Sequence, residues 1–561
     1  MTGMTKDPLI WSREAIKKIS PAVRWTFAIT FLGGILVHFY VMSHKFFNYF
    51  EMGNIFSYMP FLQEDTVGLG RWFMPIATNL FTSFSMPVFN TLICLFYMAL
   101  SSALIVDLLG IRSRAYAAAF GLVFVTFPGL ACVFSFGVNC DEITLALLLS
   151  VLSAYAFYKW KWGFVWGALF LCLSLGAYQP YMSATIGIVY MMLFLKAFRE
   201  TCALKSFAIS VCKAAGMLAA GFALYYAILQ LTIAVTGAVL SDYHGVDSMT
   251  SFTPRGLAKG LVYTYGYFLS YFFTTAYTYT TDRIVCNVIG AAAFLAVFVR
   301  RLRIPRAGGD KAGSNGFSNV LLLLLFCFLP LGVNAAPFLM ADRVGAGVDR
   351  YMIFSMMFLW ALLLTMLDEA RQGGILCKET ERILSGQAPS GEASVAQAPS
   401  RHVGNMAQWA GCLAVAASIL SGFLICNQAY HRMEAMTETT GALLGRIVAR
   451  MEAQPDWHKD MPVYFVNCRA LVNQNYEVLI PEYEEIRNMP GTFLRSSYSE
   501  EAIVDYLEVY LHFPVKEASA EERARAEADP AFAQMQSFPA ESAISVIDGV
   551  MVVKISEGEE Y

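Results

Sequence analysis

MPVFNTLICLFYMALSSALIVDLL, residues 86–109, is an apolar run with a single charged residue, and it is long enough to cross a lipid bilayer, which takes about twenty residues. Similar runs recur along the chain of 561 residues, of which 57% are hydrophobic and 15% charged. A soluble domain of this size carries about a quarter charged residues. The sequence therefore predicts a polytopic membrane protein, with membrane lipid and no nucleic acid among its partners.

Eleven apolar runs are candidates for transmembrane helices. They cover about residues 22–42, 86–109, 114–136, 141–158, 163–178, 181–198, 205–236, 284–299, 318–341, 350–367 and 406–427. Lys and Arg in short loops mark the cytoplasmic side of a membrane protein. Basic residues before the first run place the N-terminus in the cytoplasm. Alternation of the spans then places the later basic clusters there too, at 112–114, 159–161, 196–205 and 300–311.

Residues 261–280, LVYTYGYFLSYFFTTAYTYT, form a stretch that could also span the membrane. A span here would move every later loop to the opposite side of the membrane. The cluster of Arg300, Arg301, Arg303 and Arg306 would then lie outside. We therefore interpret this stretch as re-entrant or interfacial on the outer side, with a true span as the alternative. Irregular backbone at membrane depth is tolerated where protein buries it.

The chain divides into a transmembrane domain, residues 1–427, and a soluble extracytoplasmic domain, residues 428–561. A linker at 368–405, rich in Ala, Pro, Ser and Gly and bearing basic residues, is expected to be flexible and cytoplasmic. The soluble part has a strand candidate at 462–466, a helix candidate at 501–511 and a hairpin at 544–555 centred on Asp548-Gly549. The predicted fold is an all-α polytopic membrane protein with a small C-terminal α/β or α+β domain.

The outward loops collect most of the polar side chains that could do chemistry. The first loop, residues 43–75, carries the acids Glu51, Glu64 and Asp65. Asn139, Asp141 and Glu142 come before the fourth span. A carboxylate between apolar walls can act as a general base because partial loss of water raises its pKa. The alternative is that these acids are merely solvated, with Glu51 paired to Lys45.

Two further groups of side chains are suited to a phosphate and a sugar. Arg71, next to Trp72, and Arg350 lie at outer span ends, where an arginine can bind a phosphate or simply anchor the helix at the interface. The tight turn Tyr178-Gln179-Pro180-Tyr181 offers amide and hydroxyl groups beside flat rings, which suit carbohydrate. A proline-capped turn with interfacial tyrosines would look the same. Cysteines and histidines are isolated, so neither a metal site nor a cofactor is expected.

Together these motifs resemble the GtrII-type glucosyltransferases, membrane enzymes that add glucose to O-antigen and related surface glycans. The resemblance covers most of the chain. It is carried by Gly70-Arg71-Trp72 after an acidic loop, by Asp141 at the start of a span, by the run from Leu175 to Tyr181 (LGAYQPY), and by the run from Ile547 to Lys554 (IDGVMVVK).

The resemblance implies a GT-C-like helical fold, a polyprenyl-phosphate-linked sugar as donor, and catalysis on the outer face of the cytoplasmic membrane. On that analogy Glu51 is the base, and Arg71 and Arg350 hold the donor phosphate. Family members usually carry an Asp where this chain has Glu51, so Glu64 and Asp65 stay open as alternatives. A donor synthase and a flippase are the expected protein partners.

Two other classes of protein compete with this interpretation. A transporter or flippase for a lipid-linked sugar would place charged or broken helices near mid-membrane, often in paired halves. The sequence shows no internal repeat, and its polar groups cluster at the outer rim. A glycan polymerase or ligase would use a similar lipid-linked substrate.

Overall fold

The computed structural model describes residues 17–46, 59–81, 84–241, 253–303, 312–339, 352–372, 398–468 and 500–555. Within them the chain is mostly helical, and all four strands lie in the C-terminal segment. The fold is therefore a helical bundle followed by a small domain that contains a sheet.

The bundle consists of long helices joined by short ones. Up to residue 199 the α-helices are α1 Pro21–Val37, α2 Phe39–Ser43, α3 Glu64–Gly68, α4 Met74–Thr78, α5 Pro87–Leu109, α6 Arg114–Val125, α7 Gly129–Phe134, α8 Cys140–Lys159, α9 Gly163–Ala177 and α10 Met182–Arg199. They continue as α11 Leu204–Thr236, α12 Pro254–Phe273, α13 Thr275–Thr278, α14 Thr281–Arg303, α15 Ala312–Cys327, α16 Leu329–Val333, α17 Ala336–Leu339, α18 Phe358–Gln372 and α19 Ala398–Glu452. Short 3₁₀ helices cover Gln179–Tyr181 and Met352–Met357.

Six helices among the described residues are long and apolar enough to cross a membrane. They are Pro87–Leu109, Cys140–Lys159, Gln179–Arg199, Leu204–Thr236, Thr281–Arg303 and Met406–Glu452. Four apolar helices are shorter, namely Pro21–Val37, Arg114–Val125, Gly163–Ala177 and Gly316–Cys327. The predicted membrane character is supported, and the predicted number of eleven spans is not confirmed.

Proline breaks account for two of the runs that were predicted as single spans. The run at 114–136 divides into α6 and α7 at Pro128, and the run at 318–341 divides into α15, α16 and α17 around Pro330 and Pro337. Proline lacks the N–H that a helix interior requires, and its ring clashes with the preceding turn. Hydropathy averaged over a run does not register these breaks.

Small side chains let neighbouring helices of the bundle approach closely. Ser150 Oγ lies 2.8 Å from Ser174 Oγ, and Ser153 Oγ donates to the Gly167 carbonyl at 2.8 Å, so two hydrogen bonds join α8 to α9. A Cβ added at Gly167 would lie 3.0 Å from the Ser153 carbonyl oxygen. Close packing of small residues and hydrogen bonds between helices are what hold helices together in lipid.

One end of the bundle carries basic side chains. Lys159 pairs with Asp107 at 2.9 Å, and Arg199 bonds Glu369 and the Leu109 carbonyl, each at 2.5 Å. Leu109, Lys159 and Arg199 are the last residues of α5, α8 and α10. These three helices begin at the opposite end of the bundle, with Pro87, Cys140 and Met182. The basic clusters assigned to the cytoplasm therefore share one end of the molecule.

The predicted linker at 368–405 is shorter than its composition suggests. Helix α18 extends to Gln372, and α19 begins at Ala398, so both ends of the segment are helical. Asp368 is buried, and its Oδ2 accepts hydrogen bonds from the backbone N–H groups of Arg112 and Ser113 at 2.7 and 3.3 Å. Residues 373–397 lie outside the described residues.

Residues 261–280 are mostly helical, in α12 and α13. Tyr265 donates to the Cys327 carbonyl in the last turn of α15 at 2.7 Å, and Asn287 of α14 donates to the Tyr271 carbonyl at 2.9 Å. These contacts join the segment to α14 and α15. Whether it spans the membrane stays a prediction.

The C-terminal domain forms a four-stranded mixed sheet. Its strands are β1 Pro462–Val466, β2 Lys516–Glu517, β3 Ile544–Ile547 and β4 Val550–Lys554, in the order β2-β1-β4-β3. The helices are α20 Glu500–Tyr510, α21 Ala520–Ala528 and α22 Pro530–Gln534, with a 3₁₀ turn at Glu541–Ala543. The predicted strand, helix and hairpin are confirmed. Asp548 and Gly549 have φ of 48° and 77°, as a two-residue hairpin turn requires.

The domain is joined to the bundle without a break at the predicted boundary. Helix α19 has 55 residues and continues past residue 428 to Glu452. Its last turns contribute Leu444 and Ile447 to the apolar core of the domain, and Val138, from the loop before α8, packs into the same core. Lys45 lies over the Tyr510 ring, 5.4 Å from its centroid. The domain therefore sits at the end of the bundle opposite the basic clusters.

Candidate functional site

Two of the sequence motifs meet in space and are held by backbone hydrogen bonds. The Phe73 N–H donates to the Gly176 carbonyl at 2.8 Å, and Gln179 Nε2 donates to the Leu69 carbonyl at 2.7 Å. The Tyr225 hydroxyl, from α11, donates to the Gly70 carbonyl at 3.0 Å. The turn before Arg71 is thus fixed by partners from two other helices.

A single glycine makes this turn possible. Gly70 has φ of 72°, a conformation that residues with a side chain rarely adopt. It follows the short helix α3 and turns the chain so that the Arg71 N–H donates back to the Thr66 carbonyl at 2.8 Å. The turn sets the direction in which Arg71 and Trp72 leave the backbone.

Arg71 and Trp72 are each placed against the other motif. The Arg71 guanidinium carbon lies 4.8 Å from the centroid of the Tyr178 ring, a cation–π arrangement. Trp72 is buried against Gly176, where an added Cβ would lie 2.7 Å from the indole. Tyr178 and Tyr181 are also buried, with ring centroids 5.6 Å apart. Arg71, Trp72, Tyr178, Gln179 and Tyr181 therefore form one cluster, the Arg71 cluster.

An acidic pair lies at the start of α8, beside this cluster. Asp141 and Glu142 are each only 1% exposed. The Asp141 Oδ1 accepts the Glu142 N–H at 2.8 Å, and the guanidinium of Arg71 is close enough to act electrostatically on the Glu142 carboxylate. The N-terminus of a helix favours negative charge, which helps to explain why two acids begin an otherwise apolar helix.

Several polar atoms of this arrangement lack hydrogen-bond partners within the described residues. They are Asp141 Oδ2, Glu142 Oε1, Arg71 Nε and Trp72 Nε1. Buried polar groups in native proteins are normally satisfied, so each exception calls for an explanation. Of these groups, the Glu142 carboxylate and the Arg71 guanidinium are close enough to interact electrostatically. Together they bring a group that can accept a proton near a cation that can bind an anion.

The structure separates the acids that the sequence had grouped together. Glu64 and Asp65 are exposed in the first turn of α3, and Asp65 Oδ2 accepts a long hydrogen bond, 3.4 Å, from Gln63 Nε2. Asp141, in contrast, is buried, and so is the next residue, Glu142, which interacts electrostatically with Arg71. Glu51 and Arg350, the other two candidates, lie outside the described residues.

Two residues of the site were given no role from the sequence. Glu142 was named among the outer-loop acids. Two consecutive acids at the start of an apolar span are unusual, and this signal could have identified Asp141 and Glu142 as a candidate pair. Tyr225 lies within the long apolar helix α11, and its hydroxyl bonds to Gly70 only because of tertiary packing. No sequence signal could have identified it.

The fold and the site define an apolar helical protein with a charged, aromatic cluster at one end of its bundle. The sequence matches the glucosyl transferase GtrII family over residues 39–360. The chain belongs to this family, and the matched region contains the Arg71 cluster and the acidic pair. No curated protein and no solved structure matches the chain. The C-terminal hairpin, which also resembled the family, lies beyond the matched region.

Proposed function

We propose that this chain transfers glucose from a polyprenyl-phosphate carrier to a cell-surface glycan such as O-antigen, on the outer face of the cytoplasmic membrane. The observation that supports this most is the buried acidic pair beside Arg71 and the tyrosine–glutamine turn. Family membership supports glucosyl transfer. The lipid-linked donor, the acceptor and the membrane side are part of the proposal.

In this mechanism an acceptor hydroxyl attacks the anomeric carbon of the glucose. The new carbon–oxygen bond forms as the bond from that carbon to the phosphate oxygen breaks, and the hydroxyl proton passes to a carboxylate of the acidic pair. The polyprenyl phosphate leaves with the bonding electrons. Arg71 neutralises the charge that develops on its oxygens, because a preoriented cation in a water-poor site stabilises such charge strongly.

The buried pair is the better-supported source of the base. Glu64 and Asp65 are exposed in the first turn of α3, outside the apolar surroundings that shield the buried pair. Asp141 and Glu142 are shielded from water, and Glu142 is near the cation that would hold the leaving group. Glu51, which the family resemblance favours, stays a candidate.

The outer face is proposed from the distribution of charge. The Arg71 cluster and the basic clusters lie at opposite ends of the bundle, and basic loops mark the cytoplasm. Nucleotide sugars are made in the cytoplasm and do not cross the bilayer. An outward site would therefore take its sugar from a lipid carrier, with a synthase and a flippase as the proteins that supply it.

The acids are tested by Asp141→Asn and Glu142→Gln, with Glu64→Gln as the matched control. Loss of a general base costs about 10²–10⁴-fold in rate. We expect a loss of that size in glucose transfer for at least one of the buried acids, with a melting temperature equal to or above that of the wild type, since an uncharged amide is easier to bury than a carboxylate. Transfer is measured in membranes from labelled polyprenyl-phosphate glucose.

Glu64→Gln is expected to keep wild-type activity. If both buried variants transfer glucose normally while Glu64→Gln does not, the base lies in the first outer loop. If the wild-type chain transfers no glucose from the lipid-linked donor to surface polysaccharide, the proposed function is wrong.

A further inference from the structure

Helix α11, Leu204–Thr236, is the least buried of the six candidate spans among the described residues. Only 17% of its most apolar window is buried inside the protein, against 44% to 78% in the other five. It nevertheless contributes Tyr225, which is fully buried and whose hydroxyl bonds to the backbone before Arg71. Polar side chains that hydrogen-bond across helices are one of the ways in which helices associate in lipid. Tyr225 therefore links a largely exposed helix to the Arg71 cluster.

The Tyr225 hydroxyl takes part in two hydrogen bonds at once. It donates to the Gly70 carbonyl at 3.0 Å and accepts from Gln179 Nε2 at 3.4 Å. The same Gln179 Nε2 donates to the Leu69 carbonyl at 2.7 Å. A phenol can donate one hydrogen bond and accept another, so both roles are satisfied together. The hydroxyl thus connects the two carbonyls that precede Arg71 with the tyrosine–glutamine turn.

The peptide between Gly70 and Arg71 is held from both of its polar ends. Its carbonyl accepts from the Tyr225 hydroxyl at 3.0 Å, and its N–H donates to the Thr66 carbonyl at 2.8 Å. A peptide unit is planar, so two bonds at opposite ends fix the orientation of the whole unit. Gly70 is the residue at which this unit could otherwise rotate most freely. The Tyr225 bond therefore restricts the direction in which the Arg71 side chain leaves the backbone.

The residues that follow α11 hold the short helix in front of this turn. The Ser241 N–H donates to the Gly68 carbonyl at 2.9 Å. A Cβ added at Gly68 would lie 2.9 Å from the Val239 carbonyl oxygen, so the two backbones are in close contact. The Arg71 guanidinium is itself close enough to Tyr225 to interact with it electrostatically. Contacts from α11 and from the segment after it thus converge on the stretch of chain that ends in Arg71.

We infer that Tyr225 is a positioning residue for the sugar donor. Its hydroxyl holds the peptide between Gly70 and Arg71 so that the guanidinium faces the donor phosphate. The inference rests on the proposed function and deepens it, because it assigns a role in donor binding to a helix outside the motifs at Arg71 and Tyr178. Tyr225 acts through Arg71 and needs no contact with the reacting atoms.

The test removes the hydroxyl with Tyr225→Phe and uses Tyr226→Phe as the matched control. Tyr226 is the next residue of α11, is partly buried, and stacks its ring on Phe222 with centroids 6.4 Å apart. For Tyr225→Phe we expect the KM for polyprenyl-phosphate glucose to rise roughly 2- to 12-fold, the equivalent of one net hydrogen bond, with the acceptor KM unchanged. Tyr226→Phe should resemble the wild type. A purely structural role would reduce the amount of active protein, which lowers kcat and leaves both KM values as they were.

A double-mutant cycle tests whether Tyr225 acts through Arg71. In the Arg71→Ala background, Tyr225→Phe should leave the donor KM where Arg71→Ala alone has put it, because the group to be positioned is gone. Equal effects of Tyr225→Phe with and without Arg71 would overturn the inference. So would a wild-type donor KM in the single variant Tyr225→Phe.

Donor binding is also measured without turnover. Polyprenyl-phosphate glucose should raise the melting temperature of the detergent-solubilised wild type and of Tyr226→Phe, and should raise that of Tyr225→Phe less at the same concentration. Equal rises in the two variants would contradict the positioning role. A wild type that binds the donor but transfers no glucose would contradict the proposed function instead, so the two failures are distinguishable.

Discussion

At the scale of single residues, the arrangement around Arg71 depends on a ring and not only on charge. The guanidinium lies over Tyr178, whose backbone precedes the Gln179 that bonds Leu69. A guanidinium held over an aromatic face keeps its N–H groups free at its edge, where they can form paired hydrogen bonds to phosphate oxygens. Tyr178 is thus proposed to orient Arg71 toward the donor.

Replacement of Tyr178 separates the role of its ring from that of its hydroxyl. Tyr178→Phe keeps the cation–π contact, so the KM for the lipid-linked donor should stay near the wild-type value. Tyr178→Leu removes a contact worth about 0.5–2 kcal/mol, which corresponds to a donor KM raised roughly 2- to 30-fold. The measurement is initial-rate kinetics with varied donor. A defect in Tyr178→Phe as large as that in Tyr178→Leu would assign the binding role to the hydroxyl.

The sequence allowed Arg71, Trp72, Tyr178, Gln179 and Tyr181 to be grouped because each interrupts an apolar region with a polar or aromatic group. Family analogy favoured Glu51 and kept Glu64 and Asp65, the acids nearest to Arg71 in sequence, as alternatives. Burial distinguishes Asp141 and Glu142 from Glu64 and Asp65. Burial depends on which helices pack together, which local sequence does not contain.

At the scale of elements, the packing of the turn after α3 on the end of α9 fixes the distance between the two motifs. Gly176 permits this contact, because any side chain there would collide with the Trp72 indole and with Phe73 Cβ at 3.0 Å. The Phe73 N–H bond to the Gly176 carbonyl leaves the backbone little freedom to retreat. Arg71 is placed by this contact.

Substitution of Gly176 tests whether that packing positions the site. Gly176→Val should overpack the contact, at a cost of about 1–3 kcal/mol, and should lower glucose transfer more than it lowers stability. Gly216→Ala is the control, since its Cβ would lie 3.6 Å from Phe164 in ordinary contact. Thermal melting of the detergent-solubilised protein and transfer assays give the two quantities. A Gly176→Val chain with normal activity would show that the spacing of the motifs is unimportant.

The elements themselves could be predicted only in part. Apolar runs and the Asp548-Gly549 turn are local signals, and the hairpin and the strand at 462–466 formed where they were expected. Individual helices are shorter than the predicted apolar runs where proline interrupts a run. The ends of the predicted linker are helical because α18 and α19 gain tertiary partners, such as the contact of Asp368 with the Arg112 backbone.

At the scale of the whole molecule, the two ends of the bundle differ in charge and in what they carry. The basic end is tied by Lys159–Asp107 and Arg199–Glu369, and the other end carries the Arg71 cluster and the C-terminal domain. The positive-inside tendency would place the second end outside the cell. The membrane side of each end stays a prediction.

Labelling of single introduced cysteines determines the side. Ser43 and Lys161 are exposed at opposite ends of the bundle. A membrane-impermeant maleimide should label Ser43→Cys in intact cells, or in spheroplasts if an outer membrane blocks the reagent. The same reagent should label Lys161→Cys only after the inner membrane is permeabilised. Native cysteines contribute a background that is subtracted with the unsubstituted chain. The reverse pattern would place the candidate site in the cytoplasm and rule out the proposed outer-face reaction.

The packing of Val138 into the C-terminal domain has a consequence for the order in which the protein is made. Val138 emerges from the ribosome early, whereas β3 and β4, whose residues share its apolar core, are synthesised last. The core of the domain can therefore close only after β3 and β4 have been synthesised and have reached the same side of the membrane as Val138. A chain that terminates before β3 leaves the apolar side chains of Val138 and of the last turns of α19 exposed. Quality-control proteases can recognise such exposed apolar surface and degrade the incomplete enzyme.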